Sequence, residues 1–389
     1  MKQIKITNNF KQYKDGLWLI QQSDIDTNHH LTEGEPFVLT IDDDAIGKGI
    51  YGIQNKGVGW LFTTDLREDF DEFFVKDQLY QALESRQSLF NQDGINCLRL
   101  FNDIGDGIGG VTIDLYDTDA LVTFYNRGIH MYRHYFYDAL DDLLDCDVII
   151  EQQRFAEHVT HEVIKGDPTY PKVVQEHHIN YMIDLLDGAM SGLFMDQRDV
   201  RNKIIKNYTP RNMLNLFSYS GSFSIVAALN GATTTSVDAA NRTTELIERN
   251  MALNEIDPTE HSIYIMDVFN YFDYAKKHQL MYDFIMIDPP SFARVNDRIF
   301  SVLSDYPKLI KDAVEVVEDN GTIVLSTNHS DISLKDFKKM IDKTMSTIDI
   351  DYTIEHTIGL PKDYVTSKHY KKGKYLKVVF LNISKMIEQ

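Results

Sequence analysis

From residue 190 onward the chain alternates short, continuous apolar runs with longer stretches in which apolar residues recur every three or four positions. Continuous runs read as strands buried on both faces, and the three-to-four spacing reads as helices with one buried stripe. The pattern predicts strands at 213–217, 233–237, 262–265, 283–287 and 322–326, and helices at 221–230, 241–254, 267–277, 302–318 and 333–347. Extended runs near 350–357 and 374–382 would complete a seven-stranded sheet. Such alternation implies a parallel sheet covered by helices on both faces, an α/β fold.

The upstream pattern is different. Residues 1–72 hold short apolar runs (Leu17–Ile20, Phe37–Ile41, Gly57–Phe62) between turn signals, which predicts a small β-rich module. Residues 73–188 read as an α+β middle module. A helix over 70–91 carries Phe73, Leu79, Leu83 and Leu89 on one face. Strands near 97–101, 111–116 and 119–125, a helix near 130–145 and a strand at 147–151 follow it. The remaining part, 189–389, is the strand–helix domain.

Composition narrows the class. Apolar content of 43% and charged content of 25% are ordinary for a soluble protein. The opening Met1-Lys2-Gln3-Ile4-Lys5 lacks a signal-peptide core, and no apolar run is long enough to cross a membrane. Two cysteines, Cys97 and Cys146, form neither a disulfide framework nor a zinc pattern. A cytoplasmic protein is expected. The net charge of −20 is uneven: residues 1–190 carry 15 Lys+Arg against 33 Asp+Glu, and residues 191–389 carry 24 against 26. An acidic first half is a poor general surface for nucleic acid. Lys368, Lys371, Lys372, Lys374 and Lys377 around His369 and Tyr370 are either a phosphate-contacting patch or a solvated loop.

Several motifs carry no site. Asp42-Asp43-Asp44 reads as a solvated turn. His158, His161, His177 and His178 read as surface histidines, and no metal is expected. Gly105-Asp106-Gly107-Ile108-Gly109-Gly110 fits Gly-x-Gly-x-x-Gly, yet it leads into the alternating Val111–Tyr116 run. A phosphate-binding turn must open a helix, so a tight turn between strands is the better account.

The stronger signals lie at predicted strand ends. Phe217-Ser218-Tyr219-Ser220-Gly221 follows the first strand, and small residues there let backbone amides approach a ligand. Asp238, followed by Ala239, ends the second strand, where an acceptor-only side chain suits ribose hydroxyls. Asp267-Val268 ends the third and suits an adenine amino group. Asp288-Pro289-Pro290-Ser291-Phe292 ends the fourth as a stiff lip with a carboxylate at its start and an aromatic ring at its end, suited to a flat nitrogen-bearing ring. A single glycine at the first turn cannot cradle a pyrophosphate, so a methionine derivative fits better than a dinucleotide.

With the segment Gly192-Leu193-Phe194-Met195-Asp196-Gln197-Arg198, these stretches resemble the large-subunit (23S) ribosomal RNA methyltransferases. Those enzymes are built from a PUA-like module, an EEHEAD middle module and a class I domain that uses S-adenosylmethionine. The likeness covers nearly the whole chain. It implies a cofactor site made by Phe194, Asp196, Gln197, Arg198, Phe217, Ser218, Tyr219, Gly221, Asp238, Ala239, Asp267, Val268 and Asp288. It also implies a target-base site made by Asp288, Pro289, Pro290, Phe292 and Asn328, with Tyr306 either lining the pocket or packing a helix. The implied partner is 23S rRNA or a large-subunit assembly intermediate; homodimer formation stays open.

Several members of that family methylate cytidine C5, which requires a cysteine to add to C6. Here Ser326-Thr327-Asn328-His329-Ser330 stands where those enzymes carry the thiol. This departure speaks against cytidine C5, and the Asp288-Pro289-Pro290-Ser291-Phe292 lip with Ser326-Thr327-Asn328 resembles the family's guanine-N7 branch, with guanine N2 or cytidine C5 as alternatives. A small-molecule or protein methyltransferase is a further reading, favoured by the acidic first half. An RNA-binding module without turnover is another.

Overall fold

The computed structural model describes residues 1–385 apart from 15, 17, 27–29, 55, 56, 291, 296 and 297, with backbone alone at 292–295 and 298–303. The chain forms two compact units. One comprises Met1–His178, Ile183–Ser191 and Lys362–Gly373; the other comprises Ile179–Met182, Gly192–Pro361 and Lys374–Gln389.

The first unit opens with β1 (Lys2–Lys5), α1 (Phe10–Lys14), β2 (Leu19–Gln21), β3 (Pro36–Ile41), β4 (Asp44–Gln54) and β5 (Gly57–Thr63). They form a sheet in the order β1-β3-β4-β5-β2. Asp42 and Asp43 take φ of 51° and 70°, the left-handed pair that a two-residue hairpin turn requires, so the acidic run is a turn between β3 and β4. The long β4 escaped the sequence reading because Gly47, Gly49 and Gly52 interrupt its apolar pattern.

Next come α2 (Glu72–Phe90), β6 (Cys97–Asn102), β7 (Val111–Tyr116), β8 (Asp119–Phe124), α3 (Arg127–His130), α4 (Arg133–Leu143), β9 (Val148–Gln153), β10 (Thr160–Lys165), β11 (Lys172–Glu176) and β12 (Ile179–Ile183). The second sheet runs β10-β9-β8-β7-β6, with α2 and α4 packed on it through Val75, Leu79, Phe136 and Leu140. α2 starts where Asp71 accepts from the backbone N–H of Phe74. Gly105–Gly107 lies in the short turn between antiparallel β6 and β7, as the alternation after it predicted.

A residue that no periodicity reveals organises this unit. Arg86 is 1% exposed and pairs with Asp106 at 2.7 Å. It also donates to the carbonyls of Arg99 (2.6 Å) and Asp363 (2.6 Å). Asp363 in turn accepts from the Arg99 N–H at 2.9 Å, and Asn102 Nδ2 donates to the Val365 carbonyl at 2.8 Å. The segment Lys362–Gly373, far away in sequence, is thereby fixed among α2, β6 and the turn after β6.

The second unit contains α5 (Arg198–Asn207), β13 (Asn212–Leu216), α6 (Ser222–Leu229), β14 (Thr233–Asp238), α7 (Thr243–Leu253), β15 (Ser262–Ile265), α8 (Val268–Lys277), β16 (Tyr282–Ile287), β17 (Phe292–Val295), β18 (Arg298–Ser301), α9 (Val302–Val316), β19 (Val317–Thr327), α10 (Leu334–Ser346), β20 (Asp351–Ile358) and β21 (Lys377–Ser384). Its seven-stranded sheet runs β15-β14-β13-β16-β19-β21-β20, parallel except for β21, which pairs antiparallel with both neighbours. The predicted strands and helices of this part all form, within a few residues of the expected ends. β17 and β18 form a hairpin after the Pro-Pro lip that was not predicted.

Strand order reverses between β13 and β16, and a crevice opens at the carboxyl ends of strands at such a point. Phe284, Ile285, Met286 and Ile287 are each no more than 2% exposed. Burying such side chains is worth about 1.5–3 kcal/mol apiece, so the residue that follows them is firmly placed. Among the described residues, no helix is long and apolar enough to cross a membrane.

Candidate active site

The turn after β13 is strained. Phe217 and Tyr219 take φ of 59° and 47°, a region costly for aromatic residues, and Gly221 takes 77°. Backbone bonds from Ser218 N to the Val237 carbonyl (3.1 Å) and from Gly221 N to the Ser218 carbonyl (2.8 Å) hold it. A side chain at Gly221 would also press on Ile247 at 2.7 Å. The strain turns the loop over the end of β14. There Asp238 accepts from the N–H of Tyr219 (3.0 Å) with one oxygen and from that of Ala240 (2.9 Å) with the other. Asp238 therefore fixes the turn, in addition to standing at the strand end. Ala239 beside it is exposed.

Asp267, after β15, accepts from the N–H groups of Phe269 (3.0 Å) and Asn270 (3.2 Å) through Oδ1 and so caps α8. The cap engages one oxygen and leaves the other out of that bond. Val268, next to it, is buried in the helix–sheet core.

The segment before α5 supplies the remaining wall. Phe194 is 44% exposed and lies 5.1 Å from the Tyr219 ring, which brings two predicted residues together. Asp196 accepts from Tyr375 Oη at 3.0 Å. Buried Gln197 donates through Nε2 to Asp288 Oδ2 (3.0 Å) and to Ser326 Oγ (2.9 Å). Arg198 is buried near the start of α5. Arg201, one turn further along α5, was not picked out from the sequence. It is 1% exposed, donates to the Phe194 carbonyl at 2.8 Å and lies over the Tyr181 and Phe223 rings. The dense polar run Asp196-Gln197-Arg198-Asp199 just before it was the available signal.

Register explains the lip. Ile287 of β16 pairs with Leu325 of β19, so Asp288 stands level with Ser326 and the exposed Asn328 lies just past the same edge. Burial pushes the Asp288 carboxyl up to about 6, and the Asp196 carboxylate adds to the push. Hydrogen bonds from Ser326 and Gln197 and the Arg201 guanidinium pull the other way. Pro289 is buried and Pro290 exposed. Phe292 opens β17, and its side chain lies outside the described residues, as does all of Ser291. Tyr306 is fully buried, donates to the Ser326 carbonyl at 2.5 Å and packs on Phe337 at 5.2 Å. Its ring packs in the helix–sheet core while its hydroxyl holds the end of β19 beside Asp288.

Lys377 leaves the basic cluster to which the sequence assigned it. It is 6% exposed and donates to the carbonyls of His329 and Tyr375, each at 2.8 Å, so its ammonium holds the loop after β19.

The donor set suits an adenosyl-amino-acid ligand. Buried Ser218 Oγ and Gln197 Oε1 make no hydrogen bond to the described residues, which gives the crevice polar capacity for a ligand. Acidic side chains stand at three successive strand ends, after β14, β15 and β16.

This architecture is shared. Residues 145–355 match the model of the S-adenosylmethionine-dependent methyltransferases, and residues 7–64 match the PUA-like domain. The chain belongs to the S-adenosylmethionine-dependent methyltransferase family. It is 42% identical over 362 residues to the YwbD protein of Bacillus subtilis (strain 168), covering 90% of this chain and 91% of that one. The name of that relative assigns it provisionally to the ribosomal RNA large subunit methyltransferases. Ribosomal RNA large subunit methyltransferase I of Alteromonas mediterranea is 28% identical over 87% of each chain. The crystal structure of SMU.776, assigned as a methyltransferase and complexed with SAH, is 34% identical. It superposes with a TM-score of 0.92 over 98% of this chain and 100% of that one.

Proposed function

We propose that this protein methylates large-subunit ribosomal RNA in the cytoplasm, with guanine N7 as the acceptor. The observation that carries the choice of atom is the Asp288-Pro289-Pro290 lip lying level with Ser326 and followed across the edge by Asn328, with no cysteine in the sequence after Cys146. Both cysteines belong to the first unit and are at most 4% exposed.

S-adenosylmethionine, when bound, supplies a methyl group on a positively charged sulfur. In this reading Phe194, Gln197, the Phe217–Gly221 turn, Asp238 and Asp267 hold that cofactor. Guanine N7 presents an in-plane lone pair and carries no proton to remove, so the protein's task is positioning. Ionised Asp288 accepts hydrogen bonds from the donor edge of guanine, and Asn328 completes that contact. The same carboxylate favours the positive charge that methylation leaves on the ring. Gln197 and Ser326 keep Asp288 oriented.

The role of Asp288 as an ionised acceptor sets a pH dependence. A carboxyl titrating near 6 is ionised above that value, so kcat/KM should be flat above about pH 7 and fall on acidification. At pH 5 it should be about tenfold below the plateau. A rate–pH profile whose acidic limb lies near pH 4 would mean that Asp288 does not act in this form.

Kinship with the relatives named methyltransferase I supports cytidine C5, the alternative acceptor, better than guanine N7, since several members of the family use that atom. The double variant Cys97→Ala/Cys146→Ala tests whether either thiol takes part in the reaction. Guanine-N7 transfer needs no thiol, so turnover should stay within about twofold of the parent, whereas covalent addition to a pyrimidine ring would be lost with its nucleophile.

A further inference from the structure

Within the first unit, the segment Lys362–Gly373 forms one side of a cavity of about 380 Å³; α2 and the turn after β6 form the other. That volume falls in the range of small-ligand pockets. Its wall contains an aromatic pair: the Trp18 and His369 rings stack at 5.1 Å and 15°. His369 Nδ1 is buried without a hydrogen-bond partner among the described residues. Gln78 and Gln81 of α2 also line it, and each amide offers both donors and an acceptor. The carboxylate in the wall, Asp106, is already matched by Arg86 at 2.7 Å and so does not repel an anion as a bare charge would. The glycine turn rejected as a dinucleotide motif is what allows this shape, because a side chain at Gly105 would collide with the Val365 carbonyl.

Charge supplies the other half of the case. Residues 1–190 are strongly acidic, yet the segment 362–373 that joins their unit carries four lysines against one aspartate. Lys368 and Lys371 are exposed on either side of His369 and Tyr370. Stacked rings, edge-reading amides and flanking ammonium groups together fit a nucleotide that is part of a chain. We infer that this cavity binds one unpaired nucleotide of an RNA strand, its base stacked on the Trp18–His369 pair and its edge met by Gln78 and Gln81. The neighbouring phosphates are then met by Lys368 and Lys371. The base must be unpaired, because a duplex does not offer its face to a stacking wall. This inference rests on the reading of RNA as the substrate and gives the enzyme an RNA anchor within the first unit.

The chain has two tryptophans, and both report on this segment: Trp18 from the wall and Trp60, packed edge-on against Tyr370 at 5.1 Å. Titrating the full-length protein with octauridylate, an unstructured RNA, should therefore change the intrinsic fluorescence saturably at low salt. Lys368→Ala should weaken that binding about three- to tenfold and reduce the slope of log K against log salt by about 0.7. Gln81→Ala, an exposed position, should weaken it about two- to tenfold. No fluorescence response, or an unchanged affinity in both variants, overturns the inference. Methylation of rRNA is assayed in parallel, so the two claims fail separately. Transfer without a response at Trp18 removes the anchor alone, and binding without any transfer to RNA removes the proposed function.

Discussion

Replacing Asp288 with asparagine should lower methyl transfer by about 10²-fold or more while making the second unit more stable. The first effect follows from the lip: the carboxylate is the charged acceptor at the end of β16, fixed by Gln197 at 3.0 Å. Asparagine keeps the shape but loses the charge that, in the proposed reading, orients the base and offsets the positive charge left on the ring. The second effect has its sign in the titration. The folded protein holds the Asp288 proton up to about pH 6, against an ordinary value of 3.8. Between those values the folded state binds more proton than the unfolded chain, so stability falls as pH rises through the window. By pH 7.5 the ionised carboxylate is a cost, and asparagine removes it. Because Asp288 is partly exposed, the gain should be about 1–2 kcal/mol rather than the full equivalent of the shift. A variant that loses activity and also melts lower would assign Asp288 to the fold instead of the reaction.

Arg86→Leu should be the most damaging substitution in the first unit. It strips the partner from Asp106, whose side chain is 6% exposed, and removes the donor from the carbonyls of Arg99 and Asp363. Breaking a buried pair on one side costs about 3–5 kcal/mol, because the remaining charge stays buried. Urea unfolding followed by tryptophan emission measures this directly, since Trp18 and Trp60 both lie in that unit. The double variant Arg86→Leu/Asp106→Asn should recover part of the loss by removing the stranded charge. A cost below about 1 kcal/mol for Arg86→Leu would mean that the segment 362–373 is held by other contacts.

The catalytic sheet was legible because parallel strands covered on both faces must be continuously apolar, and the helices between them must carry one apolar stripe. The acidic residues after β14, β15 and β16 were legible for the same reason: each ends a run whose boundaries were clear. Asp238 and Asp267 pin a strained turn and cap a helix, tasks that no linear pattern separates from ligand binding. Arg86 and Arg201 were missed because a lone arginine in a helical stretch reads as solvated until its partners, distant in sequence, are known. Lys377 was misplaced because a cluster of lysines says nothing of which ammonium turns inward. β10 is largely exposed, so it shows no alternation to read. The return of 362–373 to the first unit depends on contacts across more than two hundred residues, such as Arg86 to Asp363.

The central claim is the acceptor atom. The direct measurement is to incubate the purified protein with isotopically labelled S-adenosylmethionine and large-subunit rRNA from cells lacking the enzyme, digest the RNA to nucleosides and identify the labelled one by mass. Label in 7-methylguanosine is the predicted result. Label in 5-methylcytidine, or in no RNA nucleoside at all, would contradict it.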